Sequence, residues 1–181
     1  MNCNHLFAGL ALALLPAAPC LAVDSPQRMF TRVDWPAAAE AAAEAQAQDA
    51  ATLAAFAATK PQGLAETRLP VLILGAKAGA AAPLFASQGT AYAAYYTLEG
   101  AQVSVLGAHS VLDAAGELKV HHETGAYEST GDGADYSLAR FGAFYTLRIT
   151  CDQPTKDPRC IEPAYLTSLA DSLIAAKGAA E

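Results

Sequence analysis

Long apolar runs and excess basic charge are both missing from this sequence of 181 residues. A helix that crosses a bilayer needs about 20 apolar residues, and the two main apolar stretches, residues 6–18 and 69–76, are shorter than that. The 11 Lys and Arg are outnumbered by 18 Asp and Glu, which gives a net charge of −7. Because this charge repels nucleic acid and anionic lipid surfaces, we expect neither as a partner.

Residues 1–22 have the pattern of a cleavable signal peptide, although the basic segment typical of such peptides is missing. Small residues stand at Cys20 and Ala22, the two positions that a signal peptidase recognises, and the composition then turns polar. We predict cleavage near Ala22, followed by a single α+β domain of residues 23–181 that is exported to the periplasm or secreted. Lipidation at Cys20 is the alternative, but Pro19 stands where lipoprotein signals carry a small residue.

Only two of the four cysteines, Cys151 and Cys160, lie beyond the predicted signal peptide. An even number of cysteines in an oxidising compartment is typical of disulfides. A redox or metal pair is the alternative, but the spacing is not CxxC and no histidine lies nearby. We therefore predict a structural disulfide, and closing so short a loop stabilises a fold by roughly 2 to 3 kcal/mol.

The mature chain has a helical pattern at each end. Residues 37–59 are rich in alanine, with Asp34 or Trp35 near the cap, and this pattern predicts a helix; low complexity with partial disorder is the alternative. Pro163 begins a second, amphipathic pattern in which Leu166, Leu169, Leu173 and Ile174 share a face and Gly178 ends the helix.

The residues between the two helices have the periodicity of strands. The clearest hairpin joins residues 91–98 to 101–106, and residues 69–76 have the composition of a strand buried on both faces, whereas residues 78–88 favour a loop. Further strand candidates are 109–112, 118–123 and 144–150. An uninterrupted run of strands predicts an α+β fold with a largely antiparallel sheet of about five strands, flanked by the two helices.

Histidines offer the most specific candidate for catalysis. His109, His121 and Glu123 lie on neighbouring strand candidates, and two histidines with a carboxylate are a common set of zinc ligands. His121 and His122, however, are adjacent in a strand and point to opposite faces. We therefore predict no metal and no cofactor, and we favour ordinary strand histidines over a metal site.

Other motifs for chemistry are weak. Residues 128–135 are acidic and rich in glycine but lack the EF-hand spacing, which favours a solvated hairpin turn. No GxSxG or SxxK motif is present. Tyr92, Tyr95 and Tyr96 are candidate binding residues if one face of their strand is exposed, and ordinary sheet packing is the alternative.

The most favoured hypothesis is a non-enzymatic exported binding or envelope-accessory module. It would bind a protein or an envelope component through one sheet face, or through a cleft beneath the helix of residues 37–59. A metal-dependent hydrolase that uses the strand histidines is the second hypothesis. A small secreted inhibitor that presents the disulfide loop of residues 152–159 is the third. Composition and export signal resemble those of small exported proteins of Gram-negative bacteria, a resemblance that implies no activity.

Overall fold

The computed structural model describes residues 27–113 and 125–179. The predicted signal peptide and residues 118–123, with His121, His122 and Glu123, lie outside the described residues. Within the described part of the chain, no helix is long and apolar enough to cross a membrane.

A six-stranded antiparallel sheet forms the centre of the fold. Its strands are β3 (Leu84–Ser87), β4 (Ala91–Leu98), β5 (Ala101–Ala108), β7 (Ala126–Ser129), β8 (Gly133–Arg140) and β9 (Ala143–Cys151). They lie in the order β3-β4-β5-β9-β8-β7. The predicted hairpin is the pair β4 and β5, whose ends Leu98 and Ala101 face each other across the turn.

Two further pairs of antiparallel strands complete the β structure. One joins β1 (Gln27–Phe30) to β6 (Ser110–Asp113). The other joins β2 (Val71–Leu74) to β10 (Leu173–Lys177). Every residue of β2 is buried, which confirms the prediction of a fully buried strand in this segment.

The described residues include four α-helices: α1 (Trp35–Gln48), α2 (Ala50–Ala58), α3 (Pro158–Ile161) and α4 (Pro163–Asp171). Asp34 caps α1 by accepting a hydrogen bond from the Ala37 N–H at 3.1 Å. The single helix predicted for residues 37–59 is interrupted at Asp49, whose carboxylate accepts a hydrogen bond from the distant Ala76 N–H at 2.9 Å. Because this oxygen binds another segment, it makes no capping bond to α2.

The core lies on one face of the six-stranded sheet, which we call the inner face. Alternate residues of the central strands point to it, including Val103, Leu147 and Ile149, all fully buried. They pack with β2 and with Leu166 and other apolar residues of α4 in one hydrophobic cluster. The opposite face of the sheet, which we call the outer face, carries Tyr95, Arg148 and other partly exposed side chains.

The prediction of an α+β fold with a largely antiparallel sheet is confirmed, but several elements differ. The C-terminal helix was predicted to continue to Gly178, yet α4 ends at Asp171 and Leu173 begins β10. The physical reason is that Leu173 and Ile174 pair with Leu74 and Ile73 of β2, so the same apolar residues are buried in a strand. Three strands of the six-stranded sheet, β3, β7 and β8, are absent from the prediction, and β3 lies within residues 78–88, which were wrongly predicted to be a loop.

The predicted disulfide between Cys151 and Cys160 is present and links the end of β9 to α3. The loop that it closes is also tied to the β4–β5 turn. The Asp152 N–H donates to the Gly100 carbonyl at 2.9 Å, and the Arg159 guanidinium donates to the Glu99 carbonyl at 3.0 Å. This end of the sheet is therefore held by one covalent bond and by hydrogen bonds from the loop.

Candidate functional site

Two of the three candidate binding tyrosines are buried on the inner face. Tyr92 is 5 % exposed and Tyr96 is 3 % exposed. The Tyr92 hydroxyl donates to the Leu72 carbonyl at 2.9 Å and accepts from the Leu72 N–H at 2.8 Å. The Tyr96 hydroxyl accepts from the Leu74 N–H at 2.9 Å. These placements differ from the expected binding surface, because both rings are enclosed by the apolar core.

These hydroxyls satisfy buried backbone groups of β2. Neighbouring residues of a strand direct their N–H groups to opposite edges, so the edge of β2 that does not pair with β10 needs other partners. Tyr145 does the same just before β2, where its hydroxyl donates to the Pro70 carbonyl at 2.9 Å. Desolvation by burial raises the pKa of Tyr92, Tyr96 and Tyr145 far above the ordinary value.

Tyr95 lies on the outer face and is 40 % exposed. It belongs to a row of residues that pair across all six strands: Leu84, Tyr95, Ser104, Arg148, Asp135 and Glu128. Within the row, the Arg148 guanidinium donates two hydrogen bonds to the Asp135 carboxylate at 2.7 and 2.6 Å. The row begins with the apolar Leu84 on β3 and ends with the charged Glu128 on β7. Its cation, Arg148, is already paired with Asp135.

His109 does not lie in a described metal site. Its Nε2 is 3.0 Å from the Thr31 carbonyl oxygen, and its ring contacts Phe30 edge-on, with 6.1 Å between the ring centres. The strand after it, β6, pairs with β1. Within residues 27–113 and 125–179, no group of three or more His, Cys, Asp or Glu residues could hold a metal ion. His121 and Glu123 lie outside these ranges, so the predicted metal set as a whole is not described.

The other two candidate segments are tightly turned. In the acidic stretch between β7 and β8, the Thr130 N–H donates to the Gly133 carbonyl at 3.0 Å, and this stretch is a hairpin turn. In the disulfide loop, the N–H groups of Lys156 and Asp157 both donate to the Gln153 carbonyl, at 3.0 and 2.9 Å. Lys156 therefore lies within a turn, and not on an extended segment.

A cavity whose lining has five charged side chains lies between α1 and the β2–β10 pair, and we call it the α1 cleft. Its volume is about 280 Å³. Ala41 and Ala45 line it from the helix, and Leu72 and Leu173 line it from the strands. Near the other end of α1, a Cβ atom on Gly178 would lie 2.2 Å from the Ala38 carbonyl oxygen, so helix and chain are in direct backbone contact there. The side of the cleft formed by α1 therefore includes the small side chains of Ala41 and Ala45.

Gly75 allows three segments to meet beside the cleft. Its N–H donates to the Ser172 carbonyl at 2.9 Å. A Cβ atom at this position would lie 2.8 Å from the same oxygen and 3.3 Å from the Asp49 carboxylate. The next residue, Ala76, donates its N–H to Asp49. A side chain at position 75 would therefore disturb both of these hydrogen bonds.

Arg140 supplies the partly buried cation of the α1 cleft. It stands at the end of β8 on the inner face, and its Nη1 donates to the Leu173 carbonyl at 3.2 Å. A guanidinium has five N–H donors in a planar fork that matches carboxylate and phosphate groups. Among the residues that the structure describes, no carboxylate lies within 4 Å of Arg140. The contact with Leu173 is the one hydrogen bond of this guanidinium among those residues.

The remaining charged residues of the cleft are Glu44, Asp49, Lys77 and Asp171. Asp49 is partly buried, and one of its oxygens binds the Ala76 N–H. The Ser172 hydroxyl donates to the Leu169 carbonyl at 2.8 Å and is not activated by a base. The cleft lining contains charged side chains of both signs, with neither histidine nor cysteine among them.

Sequence reasoning named a cleft beneath this helix but none of its charged residues. Arg140, Asp49 and Lys77 are separated by many residues in the chain, and no motif joins them. The break in the alanine helix at Asp49 and the glycine that follows the buried strand β2 are the two local features that point to this place.

Comparisons with protein-family models, with curated proteins and with solved structures find no match for this chain.

Proposed function

We propose that this chain is an exported, non-enzymatic binding module that holds a small polar molecule in the α1 cleft. The observation that carries the proposal is the partly buried Arg140 in a cavity of about 280 Å³, without a carboxylate partner among the described residues. A buried charge is costly unless it is paired, and functional sites are where proteins retain such groups. Cys151 and Cys160, which form a disulfide, support an oxidising compartment such as the periplasm or the exterior.

The size of the cleft limits the molecule that it can bind. Pockets for drug-sized ligands have volumes of about 300 to 1,000 Å³, so a cleft of about 280 Å³ suits a smaller ligand. The lining of the cleft combines apolar side chains, among them Leu72 and Leu173, with five charged side chains. A small, charged molecule of the cell envelope or of the surrounding medium therefore fits the cleft better than a lipid tail.

The test compares two substitutions on the same helix. Ala41 lines the cleft, whereas Ala43 is exposed on another face of α1. Ala41→Met fills part of the cavity, and Ala43→Met adds the same side chain to the surface; both residue types favour helix. Native mass spectrometry of the exported protein, recovered without denaturation, measures any small molecule that is retained and then lost on denaturation.

We expect wild type and Ala43→Met to retain the same adduct and Ala41→Met to lose it. Equal retention in Ala41→Met would contradict the proposal, as would a wild-type protein without an adduct. Dialysis against a chelator separates this proposal from the metal-dependent hydrolase. Unchanged mass and thermal unfolding are expected for the binding module, whereas loss of a metal would favour chemistry at His109 and His121.

A further inference from the structure

The α1 cleft contains opposite charges that do not neutralise each other. Arg140 and Asp49 both line the cavity and are both partly buried. Among the described residues, salt bridges within 4 Å join Arg148 to Asp135 and Arg159 to Asp157. The charged atoms of Arg140 and Asp49 are therefore more than 4 Å apart. An Arg and an Asp that line the same small cavity without pairing create an electric field between the positive and the negative side of that cavity.

Backbone contacts hold the two charges apart. The Arg140 guanidinium is anchored to the Leu173 carbonyl on β10. The Asp49 carboxylate accepts a hydrogen bond from the N–H of Ala76, the residue that follows Gly75. Both anchors use only part of each group, since a guanidinium has five donors and a carboxylate has about four acceptor positions. Each group therefore has spare hydrogen-bonding capacity toward a molecule in the cleft.

We propose, on the basis of the function proposed above, that the ligand is a zwitterion, with a carboxylate bound to Arg140 and an ammonium group bound on the acidic side at Asp49. The cleft carries three acidic and two basic side chains, so its lining has nearly balanced charge. A simple anion would satisfy Arg140 but would be repelled by Glu44, Asp49 and Asp171. A simple cation would leave Arg140 without an anionic partner among the described residues. An amino acid or a short peptide terminus has both charges in one small molecule.

Three probes of similar size test the charge requirement: 4-aminobutanoate, butanoate and butylammonium. NMR titration of the mature protein gives the affinity for each. We expect 4-aminobutanoate to bind at least about tenfold more tightly than either singly charged probe. Because the best distance between the two charges depends on chain length, the titration includes the ω-amino acids from glycine to 6-aminohexanoate, and the same difference is expected for at least one of them. Equal or tighter binding of butanoate would overturn the proposal, because the cleft would then be an anion site.

Charge substitutions make the test specific to each group. Asp49→Asn retains an oxygen for the Ala76 N–H, and we expect it to weaken binding of the zwitterion and to strengthen binding of butanoate. Arg140→Gln should weaken binding of both molecules. Arg68→Gln is the matched control, because Arg68 is exposed and lies outside the cleft. A merely structural role for Asp49 would lower the affinity for every probe, and that result would also overturn the proposal.

The two proposals fail separately. If none of the probes binds, but Ala41→Met still releases an adduct that Ala43→Met retains, the zwitterion is wrong and the cleft remains the binding site. If the adduct does not depend on Ala41, the binding function of the cleft itself is wrong.

Discussion

The inner and outer faces of the six-stranded sheet use the same residue type in different ways. Tyr92 and Tyr96 lie on the inner face, where their hydroxyls bind the backbone of β2. Tyr95, which lies between these two tyrosines in the sequence, is on the outer face and is 40 % exposed. One position along a strand therefore decides whether a tyrosine is part of the core or available to solvent.

The same contrast applies to charge. Arg140 on the inner face lines the α1 cleft and binds a backbone carbonyl, whereas Arg148 on the outer face has a bidentate carboxylate partner. Exposure alone would have favoured Arg148 and Tyr95 as the functional pair. The arginine with spare hydrogen-bonding capacity, however, lies on the face that contains most of the core.

The two faces should differ most in how much the loss of an apolar side chain lowers the free energy of unfolding. Leu147 is fully buried on the inner face, and its neighbour Thr146 is partly exposed on the outer face of the same strand. Leu147→Ala should lower the free energy of unfolding by about 3 kcal/mol, through lost burial and the cavity that remains. Thr146→Ala should change it by less than about 0.5 kcal/mol. Chemical denaturation measures both, and equal effects would contradict the assignment of the faces.

The tyrosine hydroxyls should show the next largest difference. Tyr92→Phe leaves the N–H and the carbonyl of Leu72 without their partner in the core and should cost about 2 kcal/mol of stability. Tyr95→Phe is the matched control and should cost close to nothing. The same denaturation experiment measures both variants. A Tyr92→Phe protein as stable as the wild type would contradict this role of the hydroxyl.

Alkaline pH should act selectively on the inner face. Burial raises the pKa of Tyr92, Tyr96 and Tyr145, so these groups stay neutral in the folded protein while the unfolded chain ionises near pH 10. Their contribution to stability is therefore fully present below pH 10 and is lost as the pH rises above it. At pH 11 the loss should be roughly 1 kcal/mol for each buried tyrosine.

Absorbance of tyrosinate, recorded alongside circular dichroism, checks this pH dependence. Of the seven tyrosines, at least these three should ionise only together with unfolding. Complete ionisation of all seven while the circular dichroism remains that of the folded protein would contradict the burial of their hydroxyls.

The smallest effect is expected for the ion pair on the outer face. Arg148 has a side chain that is 49 % exposed, and exposed pairs contribute between 0 and about 1 kcal/mol. Arg148→Gln should therefore lower the stability by about 0.5 kcal/mol, and the effect should shrink at high salt. Thermal unfolding in low and high salt measures it. A salt-independent loss of several kcal/mol would place this pair among the core contacts.

Local patterns in the sequence were sufficient for some elements and insufficient for others. The buried strand β2 and the hairpin of β4 and β5 follow from apolar runs and alternation, and both are present. The predicted helix after Asp171 does not form, because β2 offers Leu173 and Ile174 a pairing edge that no local pattern records. The break at Asp49 depends likewise on the remote N–H of Ala76.

The candidate site was less predictable than the fold. A cleft beneath the first helix was one of the expected binding places, but its charged residues come from four separate segments of the chain. Conversely, the tyrosines were recognisable in the sequence, yet which of them is exposed depends on which face of the sheet receives β2 and α4.

The sequence by itself determined the α+β class, the hairpin of β4 and β5 and the pairing of Cys151 with Cys160, because these depend on periodicity, on turn residues and on cysteine spacing. Only the tertiary structure decided that the last apolar segment is a strand, that Tyr92 and Tyr96 bind β2, and that Arg140 shares a cleft with Asp49. These features arise from contacts between residues far apart in the chain, and local propensities of about 1 kcal/mol or less yield to such contacts.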